Sequence, residues 1–192
     1  MKKQILITTV AIALASTTLS ARWGHHGHHG YHSRGHYNQS TNQTAQATLT
    51  QEQKENLTFM YQEEKLARDV YITLGKLWNQ RVFTNIQRSE QRHMNSVKYL
   101  LNRYNLPVPV LSDDIGVFEN EELQELYNQL IAKGKSSLKD ALEVGVTIEE
   151  VDIADLEAKT EGAPSDIQRV FKNLLRGSYN HLRAFNTNLG RL

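Results

Sequence analysis

The 192-residue chain contains no cysteine, which excludes a disulfide framework, a thiolate metal site, an iron–sulfur cluster and a cysteine nucleophile. Any metal it binds is held through oxygen and nitrogen. Proline is nearly as scarce, standing at 107, 109 and 164 alone, and glycine is sparse beyond Thr50, so long stretches are free to be helical. No uncharged run reaches the ~20 residues that span a bilayer. Acidic residues are missing from the first 49 positions, which hold Lys2, Lys3, Arg22 and Arg34. Residues 50–192 therefore set 18 Lys and Arg against 21 Asp and Glu. A mildly acidic remainder argues against a nucleic-acid binder. With 39% hydrophobic and 22% charged residues, the composition is that of one ordinary domain plus a tail.

What is present begins with Lys2-Lys3, the uncharged run ILITTVAIALASTTL over 5–19 and the small pair Ser20-Ala21. This order is that of a secretory signal peptide, so residues 1–21 are expected to be removed near Ala21. The mature protein would then be periplasmic or secreted, with no membrane segment left. Residues 22–49 hold six of the eight histidines among Gly, Ser, Thr, Asn and Gln. So little apolar surface cannot offset chain entropy, and a disordered tail is expected. Clustered imidazoles bind Zn, Cu or Ni weakly, which makes a capture arm one reading. A solubilising linker is the other.

Residues 50–192 read as an all-α domain. The spacing predicts a first helix over about 51–78, with Leu57, Met60, Glu64, Ala67, Tyr71, Leu74 and Trp78 on one stripe. A second, over about 84–104, puts Ile86, Glu90, His93 and Val97 on one face before Leu106-Pro107-Val108-Pro109 stops it. Asn120 can cap a short helix over 121–133, with Gly134 at its C′ position. A third long helix follows Ser137 to about Lys159, with Gly145, Ile148/Glu149, Asp152 and Leu156 inward. The last starts near Pro164-Ser165 and carries Phe171, Leu174, Ser178, His181 and Phe185 to about Asn188. Tight junctions within each helix pair and a long crossover between the pairs suggest a four-helix bundle.

Glu90-Gln91-Arg92-His93 is an E-x-x-H, whose i and i+3 side chains share one face and can reach one ion. Alone the pattern is common on solvated helices. Its company raises it: Glu64, Glu149, Asp152 and His181 fall on the inward stripes of the other three long helices. Several carboxylates buried without partners would cost several kcal/mol each, so cations are expected to neutralise them. Carboxylate and imidazole ligands without sulfur suit Fe, Mn or Zn, one or two ions. Two registers stay open, because Glu63 lies on a second stripe with Phe59, Leu66 and Val70, and Glu150 shares a face with Val146 and Ile153. Tyr71 could hydrogen-bond a ligand, with packing as its expected role.

On the segments EEKLARDVY (63–71), FTNIQRSEQRHM (83–94), GVTIEEVDIADL (145–156) and LLRGSYNHLRAF (174–185), residues 51–189 resemble the ferritin-like superfamily. Within it the chain is similar to a bacterial and archaeal family of ferritin-like domains of unknown function. The resemblance implies a ferritin-like four-helix bundle of two helix hairpins, joined by a long crossover with a short extra helix. It implies a di-iron ligand set of one Glu, an E-x-x-H, a second Glu and a second E-x-x-H. The matching positions are Glu64, Glu90, His93, Glu149 and His181. Tyr71 stands where bacterioferritin-like proteins carry a Tyr after the first ligand. The departure is Ser178, where the pattern has a carboxylate. Either Asp152 supplies the missing oxygen, or one ion is held firmly and the other weakly.

The expected function is an exported metal-binding protein whose di-metal site, iron or manganese, reacts with O2 or peroxide in the manner of a ferroxidase or peroxidase. Without cysteine there is no built-in electron relay, so a separate electron donor would be needed. A second copy of the chain, as in a homodimer, is a further partner left open. The alternative is a non-catalytic envelope protein that scavenges metal with its His-rich tail. The remaining reading is a metal-free bundle whose inward polar groups form a hydrogen-bond network.

Overall fold

The computed structural model describes residues 48–192. The expected signal peptide and nearly all of the His-rich tail lie outside the described residues. Within them are five helices and no strand: α1 (Gln51–Trp78), α2 (Arg81–Arg103), α3 (Glu121–Gly134), α4 (Leu138–Thr160) and α5 (Ser165–Leu189). No described helix is long and apolar enough to cross a membrane.

Local chemistry sets the ends. Thr50 caps α1 in a capping box with Gln53, each side chain bonding the other's backbone N–H, which satisfies two of the orphan donors at the helix start. Asn79, at φ 51°, turns the chain in the left-handed region, and only Asn79 and Gln80 separate α1 from α2. The junction is thus shorter than the spacing suggested. The gain is burial of Val82 and Phe83 in the first turn of α2. Gly134 also differs from expectation: it is the last residue of α3, not a left-handed C′ residue. Its lack of a side chain lets the helix approach α1, where an added Cβ would stand 2.7 Å from Leu74. Trp78 Nε1 donates to the Gly134 carbonyl at 2.8 Å in the same contact.

The helices α1 with α2, and α4 with α5, form the two most closely packed pairs, and residues 104–137, containing α3, cross between them. The contacts of α2 with α5 and of α1 with α4 close the bundle. Its interior has three layers. One apolar cluster contains Leu66, Val70, Tyr71, Leu74, Phe83, Ile86, Leu142 and Phe185, roofed by Leu123, Tyr127 and Leu130 of α3. The other contains Leu57, Met60, Val97, Leu100, Leu156, Phe171 and Leu174, joined by Leu49 ahead of α1. Between them lies a buried polar layer to which each long helix contributes: Glu64, Glu90 and His93, Glu149, and Ser178 and His181.

The crossover is fastened by a second buried polar group, on the outer side of α1. Lys65 and Asp69, 1% and 0% exposed, pair one turn apart. Asp69 also accepts from Arg68 at 2.8 Å and from the Gly116 backbone N–H at 3.0 Å. Lys65 Nζ donates to the Val117 carbonyl at 3.2 Å and lies 4.3 Å from the centre of the Phe118 ring. This latch pins 114–118 onto the helix that carries Glu64.

Candidate metal centre

Each polar-layer residue is held by an apolar neighbour on either side along its own helix. Glu64 lies between Met60 and Tyr71, Glu90 between Ile86 and Val97, and Glu149 between Gly145 and Leu156; His181 lies between Leu174 and Phe185. The flanking residues fix the rotation of each helix, and the rotation points the polar groups at one another.

Of the two candidates on α1, Glu64 faces the layer, at 1% exposure. Glu63 is half-buried on the α4 side. On α4 the residue facing inward is Glu149, at 2% exposure, while Glu150 is exposed. Two groups of ligand atoms result, Glu64 with Glu90 and His93, and Glu90 with Glu149 and His181, each group with its atoms within 4.8 Å of one another. Glu90 belongs to both.

The two oxygens of Glu90 are divided between the imidazoles: Oε2 lies 2.8 Å from His93 Nδ1 and Oε1 lies 2.8 Å from His181 Nδ1. His93 Nδ1 is also 3.2 Å from Glu64 Oε2, and His181 Nδ1 is 3.4 Å from Glu149 Oε2. The rings themselves stack, with centroids 5.4 Å apart. Despite their closeness, Glu90 Oε1 and His181 Nδ1 make no directed hydrogen bond, and Glu64 Oε1 is likewise buried without a partner. Buried polar atoms are almost always satisfied. Three atoms of the layer are thus left without a hydrogen-bond partner, as ligands of a cation would be.

Asp152 is brought to the edge of the layer but into neither group. It is half-buried, and Ser178 Oγ donates to its Oδ2 at 2.5 Å. Ser178 of α5 therefore holds the carboxylate of the neighbouring helix α4. Tyr71 does more than pack. Its ring touches Phe83 and Phe185, at centroid distances of 6.2 and 5.2 Å, and its hydroxyl donates to Glu149 Oε1 at 2.7 Å. Packing, the expected role, is joined by the alternative of a hydrogen bond: a phenol buried this deeply needs an acceptor, and Glu149 is within reach.

Protonation follows from the same geometry. Burial pushes the Glu64 carboxyl well above the carboxylate range, and the nearby Asp152 charge adds to this. Burial and the charge of Glu90 raise Glu149 to about 8. Burial also raises Asp152, to about 6, against the hydrogen bond from Ser178. Glu90 is the exception, since its contacts with both imidazoles outweigh burial and hold it at about 2. Burial disfavours the imidazolium forms, but the surrounding carboxylates prevail and raise His93 to about 11 and His181 to about 9. The metal-free layer thus favours retaining protons on both rings and on its raised carboxyls. Those protons neutralise what divalent cations would neutralise in their place.

The sequence carried a faint mark of one residue not singled out from it. Gly177 sits within α5, where Gly costs about 1 kcal/mol against Ala. An added Cβ there would lie 2.6 Å from His93 Nε2, so the glycine is what lets the ring lie between α2 and α5. The Lys65–Asp69 latch left no such mark, because an i, i+4 pair reads as a solvated one until the crossover covers it.

Residues 53–191 match the family described as an uncharacterized protein domain, DUF2202, and the chain belongs to that family. It is 54% identical over 140 residues to the uncharacterized protein MJ0754 of Methanocaldococcus jannaschii, which covers 71% of this chain and 75% of that protein. The crystal structure of hypothetical protein MJ0754 from Methanococcus jannaschii matches with a TM-score of 0.74 at 50% identity, over 78% of this chain and 86% of that one. A DUF305 fragment from Deinococcus radiodurans matches with a TM-score of 0.56 at 17% identity, over 74% of this chain and 98% of that one. The last is a likeness of fold alone.

Proposed function

We propose that the domain is a ferritin-like bundle that binds two ions of iron or manganese in its polar layer and reacts with O2 or peroxide. One observation carries this reading: a single buried carboxylate, Glu90, presents one oxygen to each of two imidazoles, and each imidazole has a second buried carboxylate beside it. Glu64 and His93 would hold one ion, Glu149 and His181 the other, and Glu90 would bridge them. Asp152 would close the pair from the α4 side. Such ions supply Lewis acidity and one-electron steps.

The chain's own groups have definite tasks. Glu90 is already ionised, so it needs no deprotonation to bridge. His93, His181 and Glu149 give up protons when ions replace them, which makes them the layer's proton reservoir. Tyr71 fixes the orientation of Glu149, and Ser178 fixes Asp152. The apolar layers on both sides exclude bulk water from the reacting volume.

Anaerobic titration with Fe(II) followed by oxygen tests the reading. A new near-ultraviolet band is expected in the wild type and is lost in Glu90→Ala and His181→Ala. A wild type that binds Fe(II) and gives no band has no oxygen chemistry.

A second reading is favoured by the histidines at 25, 26, 28, 29, 32 and 36: an exported scavenger in which the tail captures metal and the bundle stores it. Export, cleavage near Ala21 and residence in a periplasm or outside the cell are part of both readings. Loss of most bound metal from a chain beginning at Thr50 would favour the scavenger.

A further inference from the structure

The exposed charges of α2 and α5 are of one sign, whereas α1 and α4 expose both signs. On α2 and α5 every exposed charged side chain is basic, including Arg88 and Arg92 on the first and Arg169, Arg176 and Arg183 on the second. The acids of these two helices are Glu90, buried in the site, and Asp166, paired with Arg103 at 2.7 Å and bonded by Tyr104. By contrast Glu121, Glu122 and Glu125 of α3 and Glu150 and Glu157 of α4 are exposed acids. The exposed charge of α2 and α5 is thus positive, although the charge of the whole chain is nearly balanced.

The same two helices carry the residues of the two ligand groups nearest the surface. His93 and His181 are each 8% exposed, while Glu64, Glu90 and Glu149 are at 1–2%. The contact of His93 with Gly177 marks the seam between α2 and α5, and Arg92 and Arg176 each precede one of these two residues. Arg176 and Arg183 each donate to an asparagine about one turn earlier on the same helix, Asn173 and Asn180.

We propose that the α2/α5 face docks an acidic protein that carries a one-electron group and reduces the metal pair across the imidazole edge of the site. This rests on the di-metal reading above. Each docking delivers one electron: the donor's reduced centre is oxidised by one electron, and one ion of the pair passes from the trivalent to the divalent state. Two dockings reset the pair after O2 or peroxide has oxidised it. Charge complementarity favours an acidic occupant, since steering by a charged face speeds encounter and orients it. A second copy of the chain fits less well. Joining this basic face to an acidic face elsewhere on the copy is a head-to-tail contact, which does not close into a dimer.

The test uses the full metal-loaded chain, with flavodoxin as an acidic one-electron probe and cytochrome c as a basic control, and reads binding by titration calorimetry at low and high salt. Flavodoxin is expected to bind at low salt and lose affinity with salt, and cytochrome c is not. Arg92→Glu with Arg176→Glu should weaken flavodoxin roughly tenfold or more, while Lys139→Glu on α4 changes nothing; circular dichroism and metal content confirm that both variants are folded and loaded. Equal binding of both probes, or indifference to the double reversal, overturns the proposal. So does self-association at low salt that the reversal abolishes, or tighter binding of a DNA oligonucleotide than of flavodoxin. A wild type that holds no metal but still binds flavodoxin through this face would instead defeat the di-metal reading and leave the docking surface standing.

Discussion

The phenol of Tyr71 donates a 2.7 Å hydrogen bond to Glu149 Oε1, and through it the aromatic cluster of Phe83 and Phe185 is coupled to the polar layer. Tyr71→Phe keeps the packing and removes the donor. The loss of one hydrogen bond should cost about 1 kcal/mol in the metal-free protein. Because outer hydrogen bonds orient metal ligands, affinity at the Glu149–His181 position should fall about 10–100-fold, with the Glu64–His93 position unaffected. Competitive titration with Co(II) separates the two positions.

Gly177 and His93 are in closer contact than any side chain at 177 would permit. Gly177→Ala should therefore turn the ring away from Glu64 and Glu90 and lower the number of tightly bound ions from two per chain to one. Helix propensity alone would stabilise this variant by up to about 1 kcal/mol. Adding His93→Ala to it should change nothing further. Independent losses from the two substitutions would refute the link.

Asp69 anchors the crossover by accepting from Lys65, Arg68 and the Gly116 backbone. Asp69→Ala leaves the Lys65 ammonium buried without its counter-ion, and breaking such a pair costs about 3–5 kcal/mol. The expected fall in Tm is about 10 °C. Lys65→Met with Asp69→Leu should recover much of it, because an apolar pair of similar volume has no charge to strand.

The pH dependence of the metal-free protein follows from the direction of each shift. His93 and His181 are raised to about 11 and about 9. Their contribution is complete below the unfolded value of about 6.5 and is lost as pH rises through the folded values. Glu149, raised to about 8, works in the same direction, since the folded state keeps a proton that the unfolded chain has released. Glu90, held at about 2, stabilises above the ordinary carboxylate value and is lost toward pH 2. Chelated protein should accordingly lose stability from about pH 4.5, where unfolded Glu149 would release its proton, up to about pH 11, where folded His93 does. Metal affinity should rise over the same interval, with protons released on binding. Thermal melts and a pH-indicator titration check the two halves.

The helical plan was legible because the polar residues interrupt otherwise apolar stripes at regular intervals. The α1 boundaries, 51–78, came directly from that period. Register was harder. Glu63 and Glu64 differ by 100° of rotation, and in a helix this long two stripes fit nearly as well as one; the packing of Met60 and Tyr71 decides between them. The start of α2 was placed late, since a non-glycine residue in the left-handed region, Asn79, gives little sequence signal. Tyr71, Ser178 and Gly177 act through groups on other helices. A single helix's pattern contains nothing about what a side chain meets across the bundle.

Glu90 stands in both ligand groups, and this makes its removal the most direct test. Ions bound per chain should be counted by elemental analysis after equilibrium dialysis against Fe(II) or Co(II) under anaerobic conditions, for the wild type and Glu90→Ala beginning at Thr50. The account predicts two ions per chain in the wild type and neither held tightly in the variant. A wild type without bound metal, or a variant that keeps both ions at unchanged affinity, would contradict it.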